Sequence, residues 1–295
     1  MRACLQNFRM TSFHPQPPSR LRVLAPLTTW GISPVELVTV AAAAGYDAVG
    51  IKIYSSMQGS MTFPMAPGSP LLREIRARLA DTGLTVWDVE TFLIDPDRPV
   101  RTLLPLLETA AALGARHMLC GSMVTDPQQG AARFAELCDL AAPLGLSANL
   151  EFFAPWAGAS DLPSALATVS AADRANGKVL IDTLHAWRTG VTAEALRALP
   201  AERLAYAQIC DAPRAAPTDL AGRVQEAMEQ RLLPGEGDIP LVEMLRALPA
   251  QLPVSVEVPR QSSMTLEQAL AHARAALAAT NRILRLADEG TPQPA

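Results

Sequence analysis

The sequence predicts a closed (β/α)8 barrel, and three observations carry that expectation. Four Ala- and Leu-rich helical segments end in Gly45, Gly83, Gly114 and Gly145, residues suited to the left-handed position that closes a helix. The successive separations of these glycines, 38, 31 and 31 residues, match the length of one strand-plus-helix unit. Eight short apolar runs follow such helices, most of them nearly continuous rather than alternating, as parallel strands covered on both faces should be. No Gly-x-Gly-x-x-Gly or Gly-x-x-x-x-Gly-Lys-[Ser/Thr] motif opens any of these helices, which removes the main reason to prefer an open doubly wound sheet.

In chain order the strands are expected at 22–26, 48–53, 85–89, 117–120, 147–150, 179–181, 204–207 and 254–256. The helices between them are recognisable by their caps: Ser33-Pro34 precedes a helix at 35–44, Ser69-Pro70 one at 71–79, and Thr265 a long one at 266–286. The organisation that follows is an N-terminal extension at 1–20, a single barrel domain at 21–287 and a short tail at 288–295.

Composition narrows what such a barrel can do. The chain has 295 residues, 49% hydrophobic and 18% charged, which suits one large folded domain. A formal net charge of -4, with no block of Lys or Arg, argues against nucleic acid or an anionic membrane as partner. No run of about 18 apolar residues is present to span a bilayer. Residues 1–20 lack the apolar segment of a signal peptide. Cys4, Cys120, Cys138 and Cys210 are scattered without a Cys-x-x-Cys pair and read as reduced thiols of a cytoplasmic protein. The expected partner is a small molecule, with homo-oligomerisation left open.

The chemistry centres on Leu180-Ile-Asp182-Thr-Leu-His185. An apolar run delivers a carboxylate to its C-terminal end, where the loops of a barrel build the active site. Alone, Asp182 reads equally well as a helix N-cap. Three further runs end in the same way, in Glu151, Gln208 and Glu257. Three carboxylates and one amide form a hard, all-oxygen ligand set, which favours Mn2+ or Mg2+, with Co2+ a plausible substitute. Such an ion keeps about two positions for substrate oxygens or water. A carbonyl bound there is polarised, the adjacent C–H becomes acidic, and an enediolate is stabilised. The interval of 49 residues between Gln208 and Glu257 exceeds one unit. Its excess, at 210–238, contains Arg214, Arg231 and the turn-rich Pro234-Gly-Glu-Gly-Asp238, and reads as a loop folded over the site or as a function-free insertion.

The ordered set Asn149-Leu-Glu151, Ile181-Asp-Thr-Leu-His185, Gln208-Ile-Cys-Asp-Ala-Pro-Arg214, Pro234-Gly-Glu-Gly-Asp238 and Ser255-Val-Glu257 resembles the xylose-isomerase-like TIM-barrel superfamily, over roughly residues 21–286. That group includes sugar-phosphate isomerase/epimerase-type proteins, ketose 3-epimerases, inosose isomerases and dehydratases, 3-dehydroshikimate dehydratases and endonuclease IV. The resemblance implies metal ligation by Glu151, Asp182, Gln208 and Glu257. It further implies that Glu151 and Glu257 act as the acid/base pair and that His185 and Arg214 contact substrate oxygens. Gln208 stands where the epimerases place a histidine, whereas some 3-dehydroshikimate dehydratases resemble this chain in carrying glutamine there. Endonuclease IV needs extra histidines at early strand ends, and Lys52, Glu90 and Cys120 occupy those ends here, so DNA repair is disfavoured.

Two further residues are candidates for the substrate. Lys52 ends the second strand and can bind a carboxylate or phosphate, or simply be a solvated strand end. Glu90 points to the same mouth and can orient Lys52 or the substrate, or form a structural salt bridge. Trp30, Trp156 and Trp187 are candidates for an apolar wall or for ordinary loop packing. The expectation is therefore a divalent-metal isomerase or epimerase of a polyhydroxylated carbonyl compound. The alternatives are a metal-dependent dehydratase and a non-catalytic sugar- or metal-binding barrel.

Overall fold

Strands and helices alternate along the chain in a computed structural model that describes residues 20–53, 63, 65–260 and 263–289. The order is β1 (Arg22–Leu24), α1 (Pro34–Ala44), β2 (Ala48–Lys52), α2 (Pro70–Thr82), β3 (Thr85–Ile94), α3 (Leu104–Ala112), β4 (His117–Ser122), α4 (Pro127–Ala141), β5 (Ser147–Glu151), α5 (Leu162–Ala172) and β6 (Gly177–Asp182). It continues with α6 (Thr183–Arg188), α7 (Ala193–Arg197), β7 (Ala207–Ile209), α8 (Leu220–Glu229), α9 (Leu241–Ala247), β8 (Val254–Val256) and α10 (Leu266–Asp288). All neighbouring strands pair in parallel and in sequence order, and β1 closes on β8 through Arg22↔Val254, Val23↔Ser255 and Leu24↔Val256. The fold is a (β/α)8 TIM barrel.

Local chemistry sets the boundaries. Ser33 and Glu36 form a reciprocal capping box at the start of α1, Ser69 caps α2, and Thr265 and Gln268 form a second box on α10. Gly45, Gly83, Gly114 and Gly145 all adopt left-handed φ angles between 72° and 94°, the conformation that a side chain resists. The extension assigned to 1–20 lies outside the described residues apart from Arg20, as does the tail at 288–295 beyond Glu289. Helix α10 runs through Asp288 and so enters that tail.

Two strands differ from expectation in a way that matters for the site. Strand β3 continues to Ile94, so Glu90 lies within it rather than beyond its end. Strand β7 is Ala207–Ile209, three residues further on than the expected 204–207, which puts Gln208 at its middle. The pleat explains why these strands read as apolar runs. Ala148 and Leu150, Val179 and Ile181, Ala207 and Ile209, and Val254 and Val256 join the large apolar core beneath the helices. The alternating set comprises Asn149 and Glu151, Leu180 and Asp182, Tyr206 and Gln208, and Ser255 and Glu257, and it turns into the barrel. Leu180 and Tyr206 pack there with Leu119, Trp87 and Trp156.

The long β7–β8 connection is more ordered than a loop. Between the two residues of the short antiparallel bridge Asp211↔Leu232 it carries the ten-residue helix α8. Asp211 anchors its base: Oδ1 accepts from Ala212 N and Ile239 N, and Oδ2 from Gly235 N at 2.8 Å. Gly235 has φ 90°, and a side chain at Gly237 would strike the Asp211 carboxylate and the Ala212 carbonyl. The Pro-Gly-Glu-Gly run is thus the turn that lets this carboxylate be wrapped by backbone N–H groups. Arg188 on α6 pairs with Glu226 on α8 through Nη2 at 2.5 Å and Nε at 2.9 Å, which ties α8 down over the barrel.

Candidate active site at the barrel mouth

Glu151 and Asp182 are the last residues of β5 and β6, Lys52 is the last of β2, and Glu257 follows β8 directly. Parallel strands in one register carry them to one end of the barrel: Lys52 pairs with Glu90, Glu151 with Leu180, and Asp182 with Gln208. A cavity of about 140 Å3 opens there. Its floor and polar wall include Lys52, Glu90, Glu151, His185, Arg231 and Glu257. The apolar side comes from Phe153, Trp156 and, across the top, Val224, Ala227 and Met228 of α8. A side chain at Gly121 of β4 would overlap the Trp156 ring, so glycine there lets the indole lie against the barrel. Of the other tryptophans, Trp30 lies under the Lys52 ammonium, 4.7 Å from its ring centroid, and Trp187 packs on the core below Arg188.

Not every residue singled out from the sequence reaches this cavity. Asp182 is fully buried below it: Oδ1 caps α6 by accepting from Leu184 N at 2.8 Å and His185 N at 3.1 Å, and Oδ2 accepts from Arg231 Nη1 at 2.5 Å. Gln208 is also fully buried, and neither polar atom of its amide has a partner among the described residues. Arg214 departs furthest from its expected place. Its side chain is 82% exposed and meets Asp238 at 3.4 Å on the outer side of the connection. The guanidinium that does enter the mouth belongs to Arg231, which is 3% exposed. Sequence reasoning placed Arg231 in the long connection without a role, because only α8 folding back over the barrel brings it inward. His117, at the start of β4, hydrogen-bonds Ser147 Oγ at 2.7 Å and stands at the opposite end from the cavity.

Electrostatics follow from burial. Burial, aided by the neighbouring Glu257 and Asp88, pushes the Glu90 carboxyl well above the ordinary range. Glu151 is raised in the same way by burial and by Asp182 and Glu257. Glu257 rises to about 7 through burial, with Arg231 working against the rise. Burial alone would raise Asp182 too, but Arg231 and His185 more than offset it, so its carboxyl stays below the usual value. Lys52 and His185 are both lowered by burial, His185 to about 4, so the imidazole is neutral at physiological pH. His185 Nε2 lies 3.9 Å from Glu151 Oε1, and its ring packs on Phe153 at 4.4 Å.

The site therefore buries four carboxylates, Glu90, Glu151, Asp182 and Glu257, against two cationic side chains, Lys52 and Arg231. Uncompensated buried carboxylates demand a proton or a further cation. A divalent ion suits that surplus of two. Donor atoms of Glu151, Asp182 and His185 lie within 4.8 Å of one another, and Glu151 Oε1 and Gln208 Oε1 are buried without partners among the described residues. This side of the mouth fits a metal. On the other side, Glu257 and the second Asp182 oxygen hold Arg231 instead.

Known proteins share this architecture. A structure described as a xylose isomerase-like TIM barrel/4-hydroxyphenylpyruvate dioxygenase fusion protein superposes with a TM-score of 0.74 at 22% identity, covering 94% of this chain. The chain spans only 45% of that protein's length. The IOLI protein with a bound zinc atom matches with a TM-score of 0.73 at 20% identity, over 89% of this chain and 97% of its own. A D-allulose 3-epimerase from Methylomonas sp. in complex with D-allulose matches with a TM-score of 0.66 at 16% identity, over 90% and 98% of the two chains. At these identities the likeness establishes the fold. No sequence among the curated proteins matches the chain. Residues 38–281 match the family described as "Xylose isomerase-like TIM barrel", and with most of the barrel inside that match, the chain belongs to the xylose isomerase-like TIM-barrel family.

Proposed function

We propose that this protein is a divalent-metal-dependent isomerase or epimerase of a small polyhydroxylated carbonyl compound, acting by proton transfer at the carbon next to the carbonyl. The observation that carries the reading is the surplus of buried carboxylates at one mouth, with Glu90, Glu151 and Glu257 from β3, β5 and the end of β8 lining one small cavity and Asp182 of β6 buried below it. Glu151 and Asp182, with His185 and the unpartnered Gln208 amide beside them, are the residues that would hold the ion. Mn2+ or Mg2+ suits the oxygen-rich donors, and Co2+ is an expected substitute. When bound, the metal supplies Lewis acidity that makes the α-proton of the substrate removable.

The remaining work falls to the chain itself. Glu151 and Glu257 rise from strands three places apart in the closed barrel, so a substrate between them presents opposite faces to two carboxyl groups. One accepts the proton and the other returns one, and burial keeps both near the titration range that such an exchange needs. Lys52 and Glu90, paired across β2 and β3, and the neutral His185 imidazole supply donors and acceptors for hydroxyl groups. The α8 roof excludes water.

A panel of ketoses, inososes and dehydroshikimate incubated with the protein and Mn2+ in D2O tests the reading. The expected result is deuterium uptake at the α-carbon of at least one substrate, abolished by chelation. Elimination of a β-hydroxyl in the same tubes would assign the dehydratase chemistry instead. Ligand and metal binding without exchange would mark a binding protein.

A further inference from the structure

The metal reading leaves Arg231 unexplained, and its contacts are specific. The guanidinium bridges two of the expected metal ligands, with Nη1 at 2.5 Å from Asp182 Oδ2 and Nη2 at 3.0 Å from Glu257 Oε2. Nη1 also approaches the Glu257 carbonyl and Cys210 Sγ, while Nε donates to the Ala227 carbonyl at 2.8 Å. Its backbone is fixed as well, since Arg231 N donates to Pro259 O. Arginine does not lose its charge in proteins, and both Asp182 oxygens already accept hydrogen bonds, Oδ1 from the α6 cap and Oδ2 from Arg231. A divalent ion drawing on both Asp182 and Glu257 would have to share buried carboxylates with a fixed positive charge, which a poorly solvated site penalises.

We propose that Arg231 is a resident counter-cation that competes with the divalent ion for Asp182 and Glu257, and that the exchange is transmitted to the roof. The transmission route is the Nε bond to Ala227 in the last turn of α8, the helix whose Val224, Ala227 and Met228 cover the cavity. With the guanidinium in place, Asp182 and Glu257 are neutralised and α8 is held down. Metal drawing on the full carboxylate set releases the guanidinium and with it one anchor of α8. The inference rests on the metal reading above, yet it concerns how the site is loaded rather than what it catalyses.

The test is Mn2+ titration of metal-free protein by calorimetry, comparing wild type with Arg231→Met and Arg231→Lys. Competition predicts at least about tenfold tighter Mn2+ binding by Arg231→Met, and a larger rise in its melting temperature on adding Mn2+. Arg231→Lys, which keeps the charge, should stay near wild type. Equal or weaker binding by a folded Arg231→Met overturns the competition while leaving the metal reading standing. Binding by Arg231→Met alone supports it and overturns the metal reading for wild type. Absence of binding in all three proteins overturns both. Should Arg231→Met fail to fold, hydrogen exchange on wild type decides. Added Mn2+ should speed exchange of amides in 220–232, and unchanged or greater protection overturns the coupling.

Discussion

Two layers of the barrel interior bury ionisable side chains to the same degree and answer the burial differently. In the lower layer Asp88 and Tyr206 are fully buried, and the Tyr206 hydroxyl donates to Asp88 Oδ2 at 2.9 Å. Beside them His117 bonds Ser147 Oγ, and Asn149 Nδ2 donates to the Met118 carbonyl. Each of these residues has at least one partner within the chain, although Asp88 Oδ1 and Asn149 Oδ1 have none among the described residues, and none of the four lines the cavity. The mouth lies one pleat higher. Among the described residues its four carboxylates outnumber its two cations, and Glu90 Oε1 and Glu151 Oε1 have no partner. A closed lower layer with a single carboxylate, held by the Tyr206 hydroxyl, serves stability, whereas a surplus of carboxylates that opens onto a cavity is a demand placed on something outside the chain.

The sharpest way to break this contrast is to remove a carboxylate from the upper layer. Glu257→Gln keeps an acceptor oxygen for Arg231 and should preserve the fold, as judged by an unchanged circular dichroism spectrum. Loss of the exchangeable proton should lower turnover by about three orders of magnitude or more. Near-wild-type turnover, with metal chelated, would remove the mouth from the chemistry altogether.

The next effect is a pH dependence that belongs to the lower layer. Burial raises Asp88 from 3.8 to about 6, so the folded state prefers the protonated form. Its contribution to stability is complete below the unfolded value near 4 and is lost as pH rises through about 6. A rise from 3.8 to about 6 corresponds to roughly 3 kcal/mol. Urea unfolding of metal-free protein should therefore show stability falling between pH 4 and 7, and Asp88→Asn should flatten that slope by about this amount. Glu257, raised to about 7, extends the decline upward in the metal-free state. An identical slope in Asp88→Asn would assign the whole pH dependence to the mouth.

A smaller effect separates stability from activity. Tyr206→Phe strips Asp88 Oδ2 of its donor and should cost about 1–3 kcal/mol in chemical denaturation, with turnover within a few-fold of wild type. A hundredfold loss of turnover at unchanged stability would make the lower layer part of the machinery and erase the distinction between the two.

These layers also mark what could be read from the sequence. The barrel was legible because glycine-terminated helices recur at near-constant spacing, a local property of the chain. The mouth positions Glu151, Asp182 and Glu257 were legible because each ends or follows an apolar run whose outward residues feed the core under the helices. Gln208 shares the pattern but sits mid-strand and beneath the cavity, since β7 begins later than its apolar run suggests. Asp88 was invisible as a buried acid because a strand that continues past it to Ile94 looks, in sequence, like one ending at Val89. Arg231 could not be placed by any local rule. Its position depends on α8 being latched by Arg188–Glu226 and on the Asp211-centred turn, contacts that span 38 and 24 residues.

The smallest expected effect concerns the arginine that the sequence pattern favoured. Arg214 lies six residues beyond Gln208, within the motif that carried the family resemblance, yet its guanidinium points away from the cavity into solvent and touches Asp238 at only 3.4 Å. The bond that does hold the connection here comes from its backbone, Arg214 N to Asp238 Oδ2 at 2.8 Å, and needs no side chain. An exposed ion pair of that length contributes little to stability. Arg214→Ala should accordingly shift stability by less than about 0.5 kcal/mol and leave kcat/KM within about twofold of wild type. A loss of tenfold or more in kcat/KM, with KM rising and stability unchanged, would mean that the connection swings Arg214 into the mouth when substrate binds. The division of labour between Arg214 outside and Arg231 inside would then hold only before substrate binds.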